Sequence, residues 1–262
     1  MRTVQDHTGK LFSLPTAPLR IISLVPSITE LLYDLDLEDR VVGITKFCVH
    51  PEAWFRNKIR IGGTKNIHTE KVRQLQPDLI IANKEENVKE QIEELEKFSP
   101  VYTTVVDSVT SAIQMIRDIG NITDTAGKAN EIADRVHDLL KKPIWQSHIR
   151  TLYLIWKEPY MGAGGDTFIN DMMEHAGLKN VIRHLNRYPS LSEDEIKECN
   201  PELILLSSEP YPFKEKHICE LQGICPAAKI MLADGEMFSW YGSRMIDANE
   251  YFHIIKNNLL CL

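Results

Sequence analysis

Cys48-Val-His50 sets a thiol and an imidazole two positions apart. In an extended segment residues i and i+2 share a face, so both side chains can reach one metal ion. Two ligands without a third fall short of a structural metal site, and plain packing is the competing reading. A nucleophile–base pair is a further reading, but neighbours this close rarely point at one another as catalysis needs. Aromatic residues form a second set: Trp156 and Tyr160 flank Pro159, and Trp240-Tyr241 precede a glycine. Such rings hold flat ligands by face and edge. Trp54, followed by Phe55 and Arg56, reads as packing. Lys46, Lys65, Lys84, Arg187 and Arg244 form a third set, whose charge suits carboxylates, phosphates or an anionic chelate. For some of them a solvated surface position is the alternative. Gly162-Ala-Gly164-Gly165-Asp166 lacks dinucleotide-binding spacing. Its N–H groups can cradle an anion, or the loop simply lets a ligand approach closely. Glu85-Glu86 supply an acceptor or a helix cap. With no G-x-S-x-G, H-E-x-x-H or P-loop, no enzyme is expected.

These residues need elements to place them, and the chain repeats itself. Thr69–Asn83, TEKVRQLQPDLIIAN, is answered by Ser192–Ser207, SEDEIKECNPELILLS. Each has an acidic start, a short amphipathic helix, Pro followed by an acid, then a buried apolar run. RIISLV (20–25) and TLYLIW (151–156) read as the leading strands of two similar halves, with RVVGIT (40–45), PVYTTVV (100–106) and KIMLAD (229–234) as further strands. Residues 1–19 suggest an edge hairpin, and 46–68 a loop with a Gly62-Gly63 turn. Ser27–Glu30 and Ser192–Glu195 both fit capping boxes. Helices are expected over 86–98, 109–119, 167–176 and 246–259; residues 235–245 read as a loop. The longest helical pattern, 125–142, lies between the halves and reads as a connector.

Strand–helix alternation predicts α/β architecture: two Rossmann-like lobes with mainly parallel sheets, joined by a long connector helix. The boundaries fall at 1–124, 125–146 and 147–262. Ligands of such folds sit outside the carboxyl ends of the strands, here in a cleft between lobes. Its walls would be the loops after the strands, bringing in Phe47, Asn66 and Tyr188 with the residues already named.

The 262 residues carry 30 Lys+Arg against 37 Asp+Glu, a formal charge of −7 without basic blocks, so nucleic acid is not an expected partner. Apolar runs fall far short of the roughly 20 residues that span a bilayer. Five cysteines (Cys48, Cys199, Cys219, Cys225, Cys261) without C-x-x-C spacing argue against a disulfide framework or zinc site. Met1 leads into a polar stretch without a signal core, so the chain is expected either to be cytoplasmic or to lack its leader here.

RIISLVPSITELL, VVGIT, QPDLIIA and NPELILL resemble the substrate-binding proteins of ABC importers for cobalamin, haem and iron-siderophores, over roughly residues 18–260. The connector between similar lobes resembles the helical-backbone class of these receptors. The resemblance implies a periplasmic or cell-envelope monomer that binds a metal-chelate (cobalamin, haem or ferric siderophore) as ligand, with no catalytic cofactor. It implies an ABC permease and ATPase complex as partner. A surface acid on each short helix would pair with arginines of the permease: Glu70 in the first lobe, Asp194 or Glu193 in the second. Related cobalamin receptors place a tryptophan near the segment that here reads GGTKN. The alternative is a leaderless cytoplasmic binding or sensing protein on the same fold.

Overall fold

The computed structural model describes residues 2–14 and 17–260, so Cys261 lies outside the described residues. Two compact units divide the chain: Met1–Val106 with Thr110–His137 and Tyr241–Arg244, and Asp107–Val109 with Asp138–Trp240 and Met245–Leu262.

The first unit opens with an antiparallel hairpin, β1 (Arg2–Gln5) and β2 (Leu11–Leu14). Its turn is organised by the buried Asp6 carboxylate, which accepts from Thr8 N, Lys10 N and Thr103 N. Then follow β3 (Ile21–Ser23), α1 (Pro26–Asp34), β4 (Val41–Ile44), α2 (Glu52–Asn57), β5 (Ile59–Arg60), β6 (Gly62–Gly63), β7 (Asn66–Ile67), α3 (Thr69–Gln74), β8 (Leu79–Asn83), α4 (Lys89–Leu95), β9 (Val101–Thr104), α5 (Val109–Thr123) and α6 (Ala126–Leu140). The sheet runs β5-β4-β3-β8-β9, and every pair is parallel. β8 and β9 are buried along their whole length, as expected where helices cover both faces of a parallel sheet.

Two local expectations fail here for identifiable reasons. Pro26 takes the first helical position of α1, with Val25 as N-cap, so Ser27 lies inside the first turn and forms no capping box with Glu30. The Gly62-Gly63 turn is instead the strand β6, which pairs antiparallel with β7 around Thr64-Lys65. Gly62 has φ +109°, and a Cβ there would collide with the Asn66 carbonyl, so glycine is required. The stretch 46–68 also contains α2, whose Trp54 is fully buried.

The helix α6 passes from the first unit into the second between His137 and Asp138. The second unit contains β10 (Arg150–Trp156), β11 (Tyr160–Gly162), α7 (Phe168–His175), β12 (Lys179–Asn180), β13 (Ser190–Leu191), α8 (Glu193–Glu198), β14 (Leu203–Ser207), α9 (Glu215–Ile224), β15 (Lys229–Ala233), α10 (Glu236–Ser239) and α11 (Met245–Leu260). Its sheet runs β13-β11-β10-β14-β15, with β12 also on β10; β11 and β13 are antiparallel and the others parallel. Residues 160–162 and 190–191 are strands, and α10 forms within the expected loop 235–245. Leu152, Leu154, Ile204, Leu206 and Leu221 form the core of this unit. Truncating one such residue to Ala costs roughly 2–5 kcal/mol. No helix among the described residues is long and apolar enough to cross a membrane.

The repeated sequence folds alike in both units. α3 and α8 each end through a left-handed residue just before the proline, Gln76 at φ +44° and Asn200 at φ +45°. The acid after the proline then accepts from the backbone that leads into the first strand. Asp78 accepts from Arg20 N at 2.8 Å, and Glu202 accepts from Arg150 N at 2.9 Å. Both arginines return a bond to the helix end, Arg20 to Leu75 O and Arg150 to Asn200 O. β8 and β14 thereby enter parallel to β3 and β10, pairing Ile21 with Leu79 and Thr151 with Leu203.

Candidate functional site

In the first unit the loops at the carboxyl ends of the strands carry exposed Lys46, Phe47, Lys65, Asn66 and Lys84. Phe47 is 49% exposed, and Lys46 Nζ stands 5.0 Å from its ring centroid. Gly63 lies behind that ring, where a Cβ would stand 3.1 Å from Phe47 Cε2. The tip Lys84–Asn87 is fixed by two buried asparagines. Asn83 Oδ1 accepts from Glu85 N at 2.8 Å, and Asn87 Oδ1 accepts from Asn83 N at 2.9 Å. Asn87 Nδ2 donates to Thr64 O at 3.0 Å, so the tip and the β6–β7 hairpin are held together. Neither asparagine is among the site residues expected from sequence; an Asn at each end of a polar tip is the signal that could have found them.

Cys48 turns inward. The segment after β4 is a turn rather than an extended strand, so the shared face expected of Cys48 and His50 does not form. The thiol is fully buried, accepts from Thr29 Oγ1 at 3.0 Å and lies 3.2 Å from Thr45 Oγ1. Burial pushes its pKa up to about 11, which keeps it protonated at neutral pH. His50 is half-buried. Among the described residues no three His, Cys, Asp or Glu side chains gather as a metal site.

Tyr241 and Arg244 belong to the first unit and are engaged by its carboxylates. The buried Tyr241 hydroxyl donates to Glu86 Oε1 at 2.8 Å, and burial together with that carboxylate raises the phenol well above its ordinary pKa. Arg244 forks onto Glu30, Nε to Oε2 at 2.7 Å and Nη2 to Oε1 at 2.5 Å. Both are structural anchors of the segment 241–244.

In the second unit Trp156 ends β10 and is 40% exposed, with the Tyr211 ring 5.5 Å away in a T-shaped contact. Tyr160 packs part-buried against the core of the unit. Trp240 is only 6% exposed, and its indole N–H donates to Glu209 Oε1 at 2.9 Å. Arg187 is exposed at φ +58°, with its guanidinium 5.9 Å from the half-buried Tyr188 ring. The glycine-rich loop cradles its own chain: Gly164 N donates to Arg187 O and Gly165 N to Leu185 O, each at 2.8 Å. Those N–H groups are not offered to an anion, and a Cβ at Gly165 would collide with Arg183 O. Tyr211 and Glu209 lie between β14 and α9, in a stretch that carries no recognisable sequence signal.

The acids of the short helices stand in solvent. Glu70 is 73% exposed and 3.6 Å from Arg73; Asp194 is 86% exposed and 3.2 Å from Lys197. Glu193 is exposed one residue earlier in α8. The buried Val72 and Ile196 lie two residues beyond Glu70 and Asp194 respectively, so these two acids occupy equivalent positions in the repeat.

Comparison with known proteins agrees with this architecture. The chain is 27% identical over 216 residues to an uncharacterised ABC transporter substrate-binding lipoprotein of Bacillus subtilis, covering 78% of this chain and 68% of that protein. The crystal structure of the periplasmic vitamin B12-binding protein of Vibrio cholerae superposes with a TM-score of 0.78 at 21% identity, over 91% of this chain and 96% of that one. The periplasmic haem-binding protein of Vibrio cholerae gives 0.74 at 20% identity, over 90% and 98%. A family model described as periplasmic binding protein matches residues 21–222, and the chain belongs to that family.

Proposed function

We propose that this protein is the substrate-binding component of an ABC importer and that its ligand is a metal-chelate: cobalamin, haem or a ferric siderophore. The observation that carries the ligand class is the pairing of exposed rings with exposed cations at strand ends. Trp156 presents an indole supported by Tyr211, and Phe47 presents a ring beside Lys46, with Lys65 and Lys84 on loops tied by Asn87. Rings supply the apolar contact for a flat ligand, and ammonium groups suit its peripheral carboxylates or other anionic oxygens. The B12- and haem-binding relatives support that class. Glu70 and Asp194 are the permease-docking acids in this reading, and the site of action is the cell envelope. The test is a titration with haemin, cyanocobalamin and ferric siderophores, read by visible absorbance and tryptophan quenching. Binding tighter than millimolar, worth about 4 kcal/mol, is expected for at least one of them; none binding that well refutes the receptor reading.

A further inference from the structure

The segment between β14 and α9 touches both Trp156 and Trp240. Glu209 Oε1 accepts from Trp240 Nε1 at 2.9 Å and from Ser239 Oγ at 2.8 Å. The Glu209 carbonyl accepts from Ser207 Oγ at 2.5 Å, and that hydroxyl receives the Tyr153 phenol at 3.1 Å. A Cβ on Gly235 would stand 2.7 Å from Glu209 Cγ, so the carboxylate stem is closely confined. Two residues further on, Tyr211 meets Trp156 edge-on with an interplanar angle of 67°. Phe213 holds Tyr211 from one side, with centroids 4.8 Å apart. The buried His217 holds it from another: its Nδ1 accepts from Lys214 N at 2.8 Å, so Nε2 bears the proton and faces the Tyr211 hydroxyl at 3.3 Å.

We infer that Glu209 and Tyr211 are positioning residues that set Trp240 and Trp156 respectively, and that Tyr211, through Trp156, sets the affinity for a flat ligand. The affinity part rests on the reading above that Trp156 meets the ligand. Burial, and then the facing Glu236 and Asp234 carboxylates, raise the Glu209 pKa, while the bonds from Ser239 and Trp240 oppose this. Trp240 emission should therefore titrate with Glu209, at a pH above the ordinary glutamate value.

The experiment uses the full chain, with W240F and W156F to give each indole's emission by difference. Glu209→Gln keeps an acceptor for the indole and should preserve the emission while abolishing its titration. Glu209→Leu should shift Trp240 emission, and Tyr211→Ala should shift that of Trp156, whereas Tyr211→Phe keeps the ring and should not. Whichever of haemin, cyanocobalamin or ferric siderophore the parent binds should bind about tenfold more weakly to Y211A, and within about threefold of the parent to Y211F and E209Q. Unchanged emission in E209L or Y211A, or shifted Trp156 emission in Y211A with unchanged affinity, overturns the inference. If E209L does not fold, a Trp240 titration persisting in E209Q overturns it. If the parent binds no probe, the receptor reading fails, and the emission arm still decides whether these residues position the tryptophans.

Discussion

Replacing Arg244 by Met removes the guanidinium fork from Glu30 in a site where the two side chains are 11% and 18% exposed. The two charge-assisted hydrogen bonds contribute roughly 1.5–3 kcal/mol each, net of the water they replace. Removing one partner of a buried pair costs roughly 3–5 kcal/mol, because the other charge stays behind without compensation. The residual exposure lets water reach Glu30 in part, so the expected cost of Arg244→Met is about 2–4 kcal/mol. Glu30→Gln removes the charge that the Arg244 fork grips and should cost about 1–3 kcal/mol. The double variant removes both members of the pair and should lie no more than about 1 kcal/mol below the worse single variant. Urea unfolding followed by circular dichroism gives the three free-energy changes, and amide exchange at 241–244 reports whether the segment has come loose. If the two single costs add to within about 0.5 kcal/mol in the double variant, the pair is not coupled and the anchoring argument is wrong.

Cys48 should resist iodoacetamide at neutral pH while the exposed Cys219 reacts; mass spectrometry of the alkylated peptides decides, and rapid labelling of Cys48 in the folded chain would contradict its burial. His7, whose pKa is raised chiefly by its bond to Asp118, contributes stability that is fully present below the unfolded imidazole value of 6.5 and is lost as pH rises through the raised folded value. His7→Gln should flatten that part of the stability–pH curve, measured by urea unfolding at a series of pH values. Ser192→Ala removes a complete capping box and should cost about 1 kcal/mol in thermal or urea unfolding. Glu70→Ala and Asp194→Ala should leave ligand titration unchanged and reduce permease-coupled uptake, since each acid makes only an exposed i,i+3 pair worth less than about 0.5 kcal/mol.

The strands and the repeat were legible because both are local signals: a short apolar run, a proline, an acid at a fixed offset. The strand-end position of Trp156 was legible for the same reason, as the last residue of an apolar strand. The burial of Trp240 was not, because its indole N–H meets a carboxylate 31 residues away, Glu209, and no spacing rule connects them. A shared face for Cys48 and His50 requires an extended backbone, whereas the chain turns there and Thr29 and Thr45 close over the thiol. At Ser27 the capping signal was real but Pro26 outranked it, by fixing the helix start two residues earlier. The glycine-rich loop shows the same limit. Its composition announces a close approach, and only the fold reveals that the approaching chain is 183–187.

The repeat that first suggested two alike halves has a physical content that distinguishes its two acids. The acid after the proline has a structural bond in both copies: Asp78 and Glu202 accept the backbone N–H that starts the leading strand. The acid seven residues before the proline stands in solvent in both copies, beside one basic neighbour. In α8 the helix N-terminus does not depend on Asp194, since the cap comes from Ser192 and Glu195. Glu193 could serve the helix N-terminus equally well, but its counterpart in the first copy is Thr69, which carries no charge. A position that is an acid in both copies and exposed in both is the kind that a partner surface would use, and Asp194 rather than Glu193 meets both conditions.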